Sequence, residues 1–451
     1  MGCGPKPFGN VGEEFSKVVN ILKGLSRHVR EFSLHETFKR DVGWNVSSLA
    51  VLGVSGILLN VVIVQAYGAA VLGVFNQVLA CFIIFSQLTS GGLAFSILKY
   101  SAEYADNREE LSKVVSSAAI IAGGIALVVC IAIWLSAGWI GHLLESPGVT
   151  VGLRWVIPGL WCIAVNKVLM FSLNGVGHMR FFASAQALRY LLVILTVVAC
   201  SVIRVDGYVL PVAFSVAEAI LLLILVPYTF TCVAWTAPWR WGGWVRKHVV
   251  FGLKALPSGL MLEANTRVDI LMLGYFTTDH ITGVYSFAAL LVEGLAQIPV
   301  AILVNVNPLL TRQFTSGDAG EIGRTVKRIR TVSMMVTLLV GLLVFASFPW
   351  WVGQLFADPS IASGWPIVGI LAAGVVLASG YGPFQMILNQ VGRPGLYALF
   401  VLVCISTNVL FNAIWIPVWG MYGAASATAL SLVASVFYLK WFVWRSVGIR
   451  I

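Results

Sequence analysis

Charged residues are scarce in this chain of 451 residues. Only 11% of its residues are Asp, Glu, Lys or Arg, whereas 59% are hydrophobic and the mean hydropathy is +0.89. A soluble domain carries about 25% charged residues, so this chain has too little polar surface to coat a water-soluble globule. The shortage excludes soluble proteins as a class. It also makes the formal net charge of +10 a matter of membrane topology rather than of nucleic-acid binding.

Metal and disulfide motifs are missing as well. None of the seven cysteines lies in a CxxC pair or at another spacing typical of metal ligands. All except Cys3 lie in or beside apolar runs, where cysteine acts as a small packing residue. The sequence therefore gives no indication of a metal, a cofactor or a disulfide.

The first 42 residues lack the early apolar core of a signal peptide. Instead, apolar residues recur at steps of three and four with charged residues between them, which is typical of an amphipathic helix. The apolar positions are Phe15, Val18, Leu22, Leu25, Val29 and Phe32. We expect this helix to lie on the membrane surface or to pack against the cytoplasmic loops of the protein.

Long apolar runs dominate the rest of the chain. A helix needs about 20 apolar residues to cross roughly 30 Å of hydrocarbon. The runs of suitable length are residues 43–66, 71–97, 114–137, 153–175, 184–204, 208–232, 256–277, 281–308, 329–352, 365–389, 396–416 and 419–443. The sequence therefore predicts an all-α integral membrane protein with about twelve transmembrane helices.

The basic residues predict the orientation of these helices. With the N-terminus inside, all but four of the 29 Lys and Arg residues fall on the cytoplasmic side. Arg154 and Arg204 lie outside, and Lys167 and Arg267 lie within spans. Because basic loops stay in the cytoplasm, we expect both termini to be cytoplasmic and the protein to lie in the inner membrane.

Three weak internal matches indicate a duplicated unit. NGVGHMRFFA resembles NQVGRPGLYA at an offset of 215, LGVFNQVLA resembles TGVYSFAAL at an offset of 210, and YADNREELSKVV resembles FTSGDAGEIGRTVK. An even number of spans in each unit gives both halves the same orientation. The predicted parts are an amphipathic segment 1–42, a six-helix half 43–232, a connecting loop 233–255, a second half 256–443 and a tail 444–451.

A few charged residues lie inside or close to the predicted spans, where each costs several kcal/mol. They are Lys167, Glu218, Glu263, Arg267, Asp269 and Glu293. One interpretation is structural: Glu263 and Arg267 form a helical ion pair, and Lys167 and Glu218 neutralise each other. The other is a water-filled cavity in which the cations contact an anion and the carboxylates act as counter-ions or coupling sites for protons.

Two further segments carry a family resemblance. VDILMLGYF (268–276) and PVWGMYGAASATALSLVAS (417–435), together with the duplicated halves, resemble the polysaccharide-transporter branch of the MATE-like MOP exporter superfamily. The resemblance covers about residues 42–443 and includes the Wzx-type flippases of O-antigen units. It implies a cationic cavity in which Lys167 and Arg267 receive the substrate, with Arg189 and Arg154 at the inner and outer mouths. Drug exporters of the superfamily carry an acid in the first span, whereas this chain has only Asp41 at its entrance.

The resemblance implies a flippase that moves an undecaprenyl-diphosphate-linked oligosaccharide by alternating access, coupled to an ion or to protons. Its partners would be that substrate, membrane lipids, a polysaccharide polymerase and a chain-length regulator, with no nucleic acid. A drug or small-molecule exporter of the same fold is the alternative. A membrane enzyme acting on the lipid carrier is disfavoured, because the outer loops are short and offer only His142 and Glu145.

Overall fold

The computed structural model describes residues 53–316, 319–356 and 358–447. The predicted amphipathic segment 1–42 and Asp41 lie outside these residues. Within them all regular structure is helical. The α-helices are α1 (Gly53–Tyr67), α2 (Ala69–Ser90), α3 (Leu93–Glu103), α4 (Arg108–Leu143), α5 (Pro147–Gly175), α6 (Met179–Val202), α7 (Val212–Cys232), α8 (Trp244–Asn265), α9 (Val268–Phe276), α10 (Asp279–Ser316), α11 (Ala319–Leu355), α12 (Trp365–Ser379), α13 (Ile387–Gln390) and α14 (Pro394–Val447).

The helices account for the twelve predicted spans. Nine helical segments in the described part are long and apolar enough to cross a membrane. The longest, α14, contains two spans, because Gly420 breaks it with the non-helical angles φ 54° and ψ −129°. The apolar helix α1 and the pair α8 and α9 supply the remaining two. The prediction of an all-α membrane protein with about twelve spans is confirmed.

Three predicted spans contain a break, of which proline and glycine in the sequence indicate only the one at Gly380–Pro383. The span 71–97 is divided between α2 and α3 by Gly91 and Gly92, both with positive φ. The span 256–277 is interrupted between α8 and α9, and the span 365–389 loses its regular helix after Ser379. In the last case Pro383 follows, and proline has no N–H for a helical hydrogen bond. A hydropathy window does not detect such bends.

The same turn follows the fourth span of each half. In the first half the N–H of His178 donates to Leu173 O at 2.8 Å, with Gly177 at φ +88°. In the second half the N–H of Arg393 donates to Leu388 O at 2.9 Å, with Gly392 at φ +74°. These are helix C-terminal turns that require a left-handed glycine. Their equivalent positions, 215 residues apart, match the offset of the NGVGHMRFFA repeat.

The two halves meet where α2 crosses α10. A methyl group on Gly73 would overlap the carbonyl oxygen of Asp279, and one on Gly283 would overlap the carbonyl oxygen of Ala69. The two glycines are 210 positions apart, which is the offset of the LGVFNQVLA repeat. Equivalent residues therefore touch each other reciprocally, as expected at a pseudo-two-fold axis between parallel halves.

The segment between the halves is shorter than the predicted loop 233–255, because α8 begins at Trp244. Two of its four tryptophans, Trp235 and Trp239, are exposed, as expected for a membrane-interface belt. Trp241 and Trp244 are buried instead. The Trp244 indole packs edge-on against Tyr100 and donates a hydrogen bond to Glu110 at 2.9 Å. Trp244 thereby anchors the end of the connecting segment to the first half, whereas the Trp241 indole donates to Thr236 O within the segment at 2.8 Å.

Candidate functional site

A cavity of about 510 Å³ lies between the two halves of the bundle. Residues of α1, α2, α5, α6 and α7 line it from the first half, and residues of α9 and α10, with Arg267, line it from the second. Most of the lining is apolar. The polar side chains are Ser55, Asn60, Asn76, Arg189, Tyr190, Glu218, Arg267, Ser286, Glu293 and Gln297. This volume falls within the range of about 300–1,000 Å³ that is typical of ligand pockets.

The first half contributes the ion pair of Arg189 and Glu218 to this cavity. Arg189 Nη2 lies 3.4 Å from Glu218 Oε2, and Asn166 Nδ2 donates to the same carboxylate oxygen at 2.7 Å. The Glu218 side chain is only 2% exposed and that of Arg189 is 16% exposed. A buried charge needs such partners because of its desolvation cost. Arg189 therefore lies in the cavity wall as one half of a closed pair.

The second half contributes the ion pair of Arg267 and Glu293. Arg267 Nη1 lies 3.0 Å from Glu293 Oε1, and the side chains are 21% and 41% exposed. Arg267 is the N-cap residue of α9, directly after the interruption between α8 and α9. This break turns the guanidinium toward α10. Arg267 and Glu293 are thus more accessible than the pair in the first half.

The helical ion pair expected between Glu263 and Arg267 does not form. The helix α8 ends at Asn265, so the regular spacing that would place the two side chains on one face is lost before Arg267. Glu263 Oε1 instead accepts a hydrogen bond from Gln87 Nε2 at 3.1 Å. The alternative in which Lys167 neutralises Glu218 is likewise wrong, because Lys167 Nζ donates to Ser86 Oγ at 2.9 Å and Glu218 pairs with Arg189.

The remaining predicted site residues lie outside the cavity wall. Asp269 Oδ2 accepts a hydrogen bond of 2.7 Å from the hydroxyl of Tyr285, which is fully buried. Arg154 is exposed on α5. Of the eight predicted residues, four therefore meet in the cavity: Arg189, Glu218, Arg267 and Glu293.

Polar bridges join the halves on either side of the cavity along α2. Toward one end, Gln77 Nε2 and Ser146 Oγ donate to the two carboxylate oxygens of Asp279, at 2.7 and 2.8 Å. Toward the other end, Gln87 donates to Glu263. The sequence does not single out Asp279, because a single acid at the start of a span resembles an ordinary interface residue. Tyr190 is not distinguished either, because an uncharged side chain beside Arg189 gives no charge signal.

Known proteins share this arrangement of helices. Residues 39–314 match the family model described as polysaccharide biosynthesis protein. The chain belongs to this family. The resemblance to the polysaccharide-transporter branch of the MOP superfamily is thereby confirmed, and the chain is a flippase-type transporter.

Two of the three curated relatives described here are named as flippases. A probable flippase of Haloferax volcanii, AglR, is 21% identical over 392 residues, which are 84% of this chain and 77% of the relative. A second protein of that organism, the probable low-salt glycan biosynthesis flippase Agl15, is 26% identical over 39% of this chain and 38% of its own length. An uncharacterised membrane protein of Methanocaldococcus jannaschii is 22% identical and covers 91% of this chain and 85% of its own length.

Solved structures show the same fold at low sequence identity. The lipid II flippase MurJ, in an inward closed conformation, superposes with a TM-score of 0.72 at 14% identity, covering 89% of this chain and 87% of MurJ. An inward-facing MATE multidrug transporter of the MOP superfamily superposes with a TM-score of 0.68 at 14% identity, covering 86% of this chain and 93% of that transporter. The chain therefore has the fold of MurJ and of the MATE transporters.

Proposed function

We propose that this flippase moves an undecaprenyl-diphosphate-linked oligosaccharide across the cytoplasmic membrane by alternating access. The single observation that carries the proposal is the pair of arginines, Arg189 and Arg267, in a cavity between the halves. A sugar diphosphate does not enter roughly 30 Å of hydrocarbon unaided, and guanidinium groups bind phosphate oxygens bidentately. The polyprenyl tail would stay in the lipid while the head occupies the cavity.

The carboxylates suggest how transport is coupled. Each arginine is already neutralised by a glutamate, so a diphosphate that binds an arginine leaves a carboxylate without its partner. An isolated charge of this kind is costly away from water. We propose that Glu218 and Glu293 then take up a proton or a cation, which ties substrate binding to ion or proton movement.

The other predicted residues receive roles beside the cavity in the same proposal. Lys167 and Glu263 approach α2 at Ser86 and Gln87, on the side that the basic-residue distribution assigns to the cytoplasm. Lys167 would guide the anionic head into the cavity, and Glu263 would act as a counter-ion there. Arg154, exposed on α5, would meet it at the outer mouth, and Asp269 would hold the start of α9 through Tyr285. A polymerase and a chain-length regulator are the proposed partners on the outer side.

A reconstituted flipping assay tests the proposal. Removing Arg189 alone would leave Glu218 buried without a partner, which costs about 3–5 kcal/mol. We therefore choose Arg189→Gln together with Glu218→Gln, and separately Arg267→Gln, because the second pair is more exposed. Each should lower the initial rate of flipping of a lipid-linked oligosaccharide at least about tenfold, which equals the loss of roughly 1.4 kcal/mol of stabilisation.

The control is Arg240→Gln, which removes an exposed cation of the connecting segment and should leave the rate unchanged. Thermal unfolding of each purified variant checks that it is folded. If folded Arg267→Gln and the double variant both flip at the wild-type rate, the cationic-cavity proposal is wrong. A small-molecule exporter would instead be indicated if loss of the protein removed drug resistance and left surface polysaccharide intact.

A further inference from the structure

Two cations contact one tyrosine at the predicted cytoplasmic end of the second half. Arg330 Nη1 donates to the Tyr381 hydroxyl at 2.9 Å, and its guanidinium carbon lies 5.7 Å from the ring centroid. Lys440 Nζ lies 4.4 Å from the same centroid. The three residues come from α11, from the turn after α12 and from α14, and all are half-buried. We refer to them as the tyrosine cluster.

The backbone break after α12 creates the space for this cluster. A methyl group on Gly380 would collide with the aliphatic stem of Arg330. One helical turn further along α11, Ser333 Oγ donates to Ser379 O at 2.6 Å and so satisfies a carbonyl at the end of α12. Arg330 is therefore held against the break by packing and by its neighbour, rather than extending freely into solvent.

Neither Arg330 nor Lys440 forms an ion pair with a carboxylate among the described residues. Asp358, the last acidic residue in the sequence, lies beyond the opposite end of α11. Glu321 lies nine positions before Arg330 on the same helix, which is about 13 Å along its axis. Two half-buried like charges beside one neutral phenol repel each other, and this repulsion is relieved when an anion binds between them.

The position of the cluster indicates where the anion comes from. The positive-inside distribution places this end of α11 and α14 at the cytoplasmic surface, where the leaflet has a negative potential from anionic lipids. Beneath the cluster lies an apolar group that includes Phe384, Leu439 and Phe442. A phosphate above apolar side chains between helices is the environment of a phospholipid headgroup.

We infer that Arg330, Lys440 and Tyr381 form a binding site for the phosphate of an anionic phospholipid of the inner leaflet. The site is separate from the transport cavity, whose lining contains none of the three residues. Bound lipid would join α11, α14 and the break after α12, and so stabilise the second half as one unit. This role goes beyond substrate movement and does not depend on the nature of the glycan.

Native mass spectrometry of the purified full-length protein tests the site with phosphatidylglycerol and with phosphatidylcholine of identical acyl chains. Wild-type protein should retain phosphatidylglycerol preferentially. Arg330→Gln and Lys440→Gln should each raise its dissociation constant about fivefold, since one basic residue at an anionic membrane surface is worth about 1 kcal/mol. Arg393→Gln is the matched control, because it removes an exposed cation at the same end and should change the constant less than about twofold.

Three outcomes would overturn the inference. The first is no preference for phosphatidylglycerol in the wild type, and the second is an equal loss in Arg393→Gln. The third is displacement of the lipid by millimolar inorganic phosphate, which would indicate a site for free phosphate. If a glutamine variant does not fold, Tyr381→Phe keeps both charges and should retain the lipid preference. Because this experiment measures lipid binding, a failure of the lipid-site inference is distinguishable from a failure of the proposed function in the flipping assay.

Discussion

At the scale of single residues, the more accessible ion pair, that of Arg267 and Glu293, offers the most direct test of coupling. Glu293→Gln keeps the size of the side chain and removes the charge that would pass to a proton or cation. We expect the wild-type flipping rate to respond to an imposed pH or ion gradient and the variant to lose that response. Flipping in proteoliposomes with defined gradients measures both.

Glu109→Gln is the control for this experiment, because the Glu109 side chain is 81% exposed in the first turn of α4. It should respond to the gradients as the wild type does. A Glu293→Gln variant that also responds normally would exclude Glu293 as a coupling group, and Glu218 would remain as the candidate.

His248, at the start of α8, predicts a pH dependence of stability. It is fully buried, its Nδ1 lies 2.9 Å from Ser96 Oγ, and burial lowers its pKa to about 4. In the unfolded chain histidine protonates below about pH 6.5. Between these values the unfolded state binds more protons, so stability falls as the pH falls through this window and is unaffected above it.

We expect this effect to reach about 3 kcal/mol near pH 4, at roughly 1.4 kcal/mol for each pH unit. His248→Gln should flatten the fall in melting temperature between pH 7 and pH 4.5, as measured by thermal unfolding in detergent. His142→Gln, which changes an exposed histidine, should show the same fall in melting temperature as the wild type. An equally steep fall in His248→Gln would assign the acid sensitivity to other groups.

At the scale of elements, the crossing of α2 and α10 depends on the absence of side chains at Gly73 and Gly283. An added methyl group would meet backbone carbonyl oxygen on the opposite helix, which does not move as a flexible side chain does. We expect Gly73→Ala and Gly283→Ala each to lower the stability by about 1–3 kcal/mol, the usual cost of overpacking. Thermal unfolding of the purified variants in a mild detergent measures the change in stability.

Gly124→Ala on α4 is the matched control, because nothing lies within 4 Å of an added methyl group there. It should be neutral or slightly stabilising, since alanine favours the helix. If Gly73→Ala and Gly124→Ala have the same melting temperature, the halves are not in the close contact described.

Two of the predicted spans have accurate C-terminal ends. The spans 153–175 and 208–232 end at the same residues as α5 and α7, because turn residues follow both apolar runs. The breaks at Gly91 and at Arg267 were not predicted, because the residues around them stay apolar enough to cross the membrane. Only packing against the other half stabilises the bent conformation.

At the scale of the whole molecule, the orientation in the membrane stays a prediction from the basic residues. We expect a fluorescent protein fused after Ile451 to fold in the cytoplasm and an alkaline phosphatase fused there to be inactive. A phosphatase inserted in the predicted outer loop near residue 145 should be active. The opposite pattern at both sites would show that the bundle has the inverse orientation in the membrane, with the tyrosine cluster at the outer surface.

Composition and pattern alone determined that this chain is an all-helical membrane protein with about twelve spans, two similar halves and charges at six positions within or close to the hydrocarbon. These conclusions depend on the cost of placing polar groups in lipid, which every local segment experiences by itself. The pairing of the charges was decided only in the tertiary structure. Glu218 meets Arg189 rather than Lys167, and Arg267 meets Glu293 rather than Glu263, because helix breaks and helix neighbours, not spacing along the chain, bring side chains together.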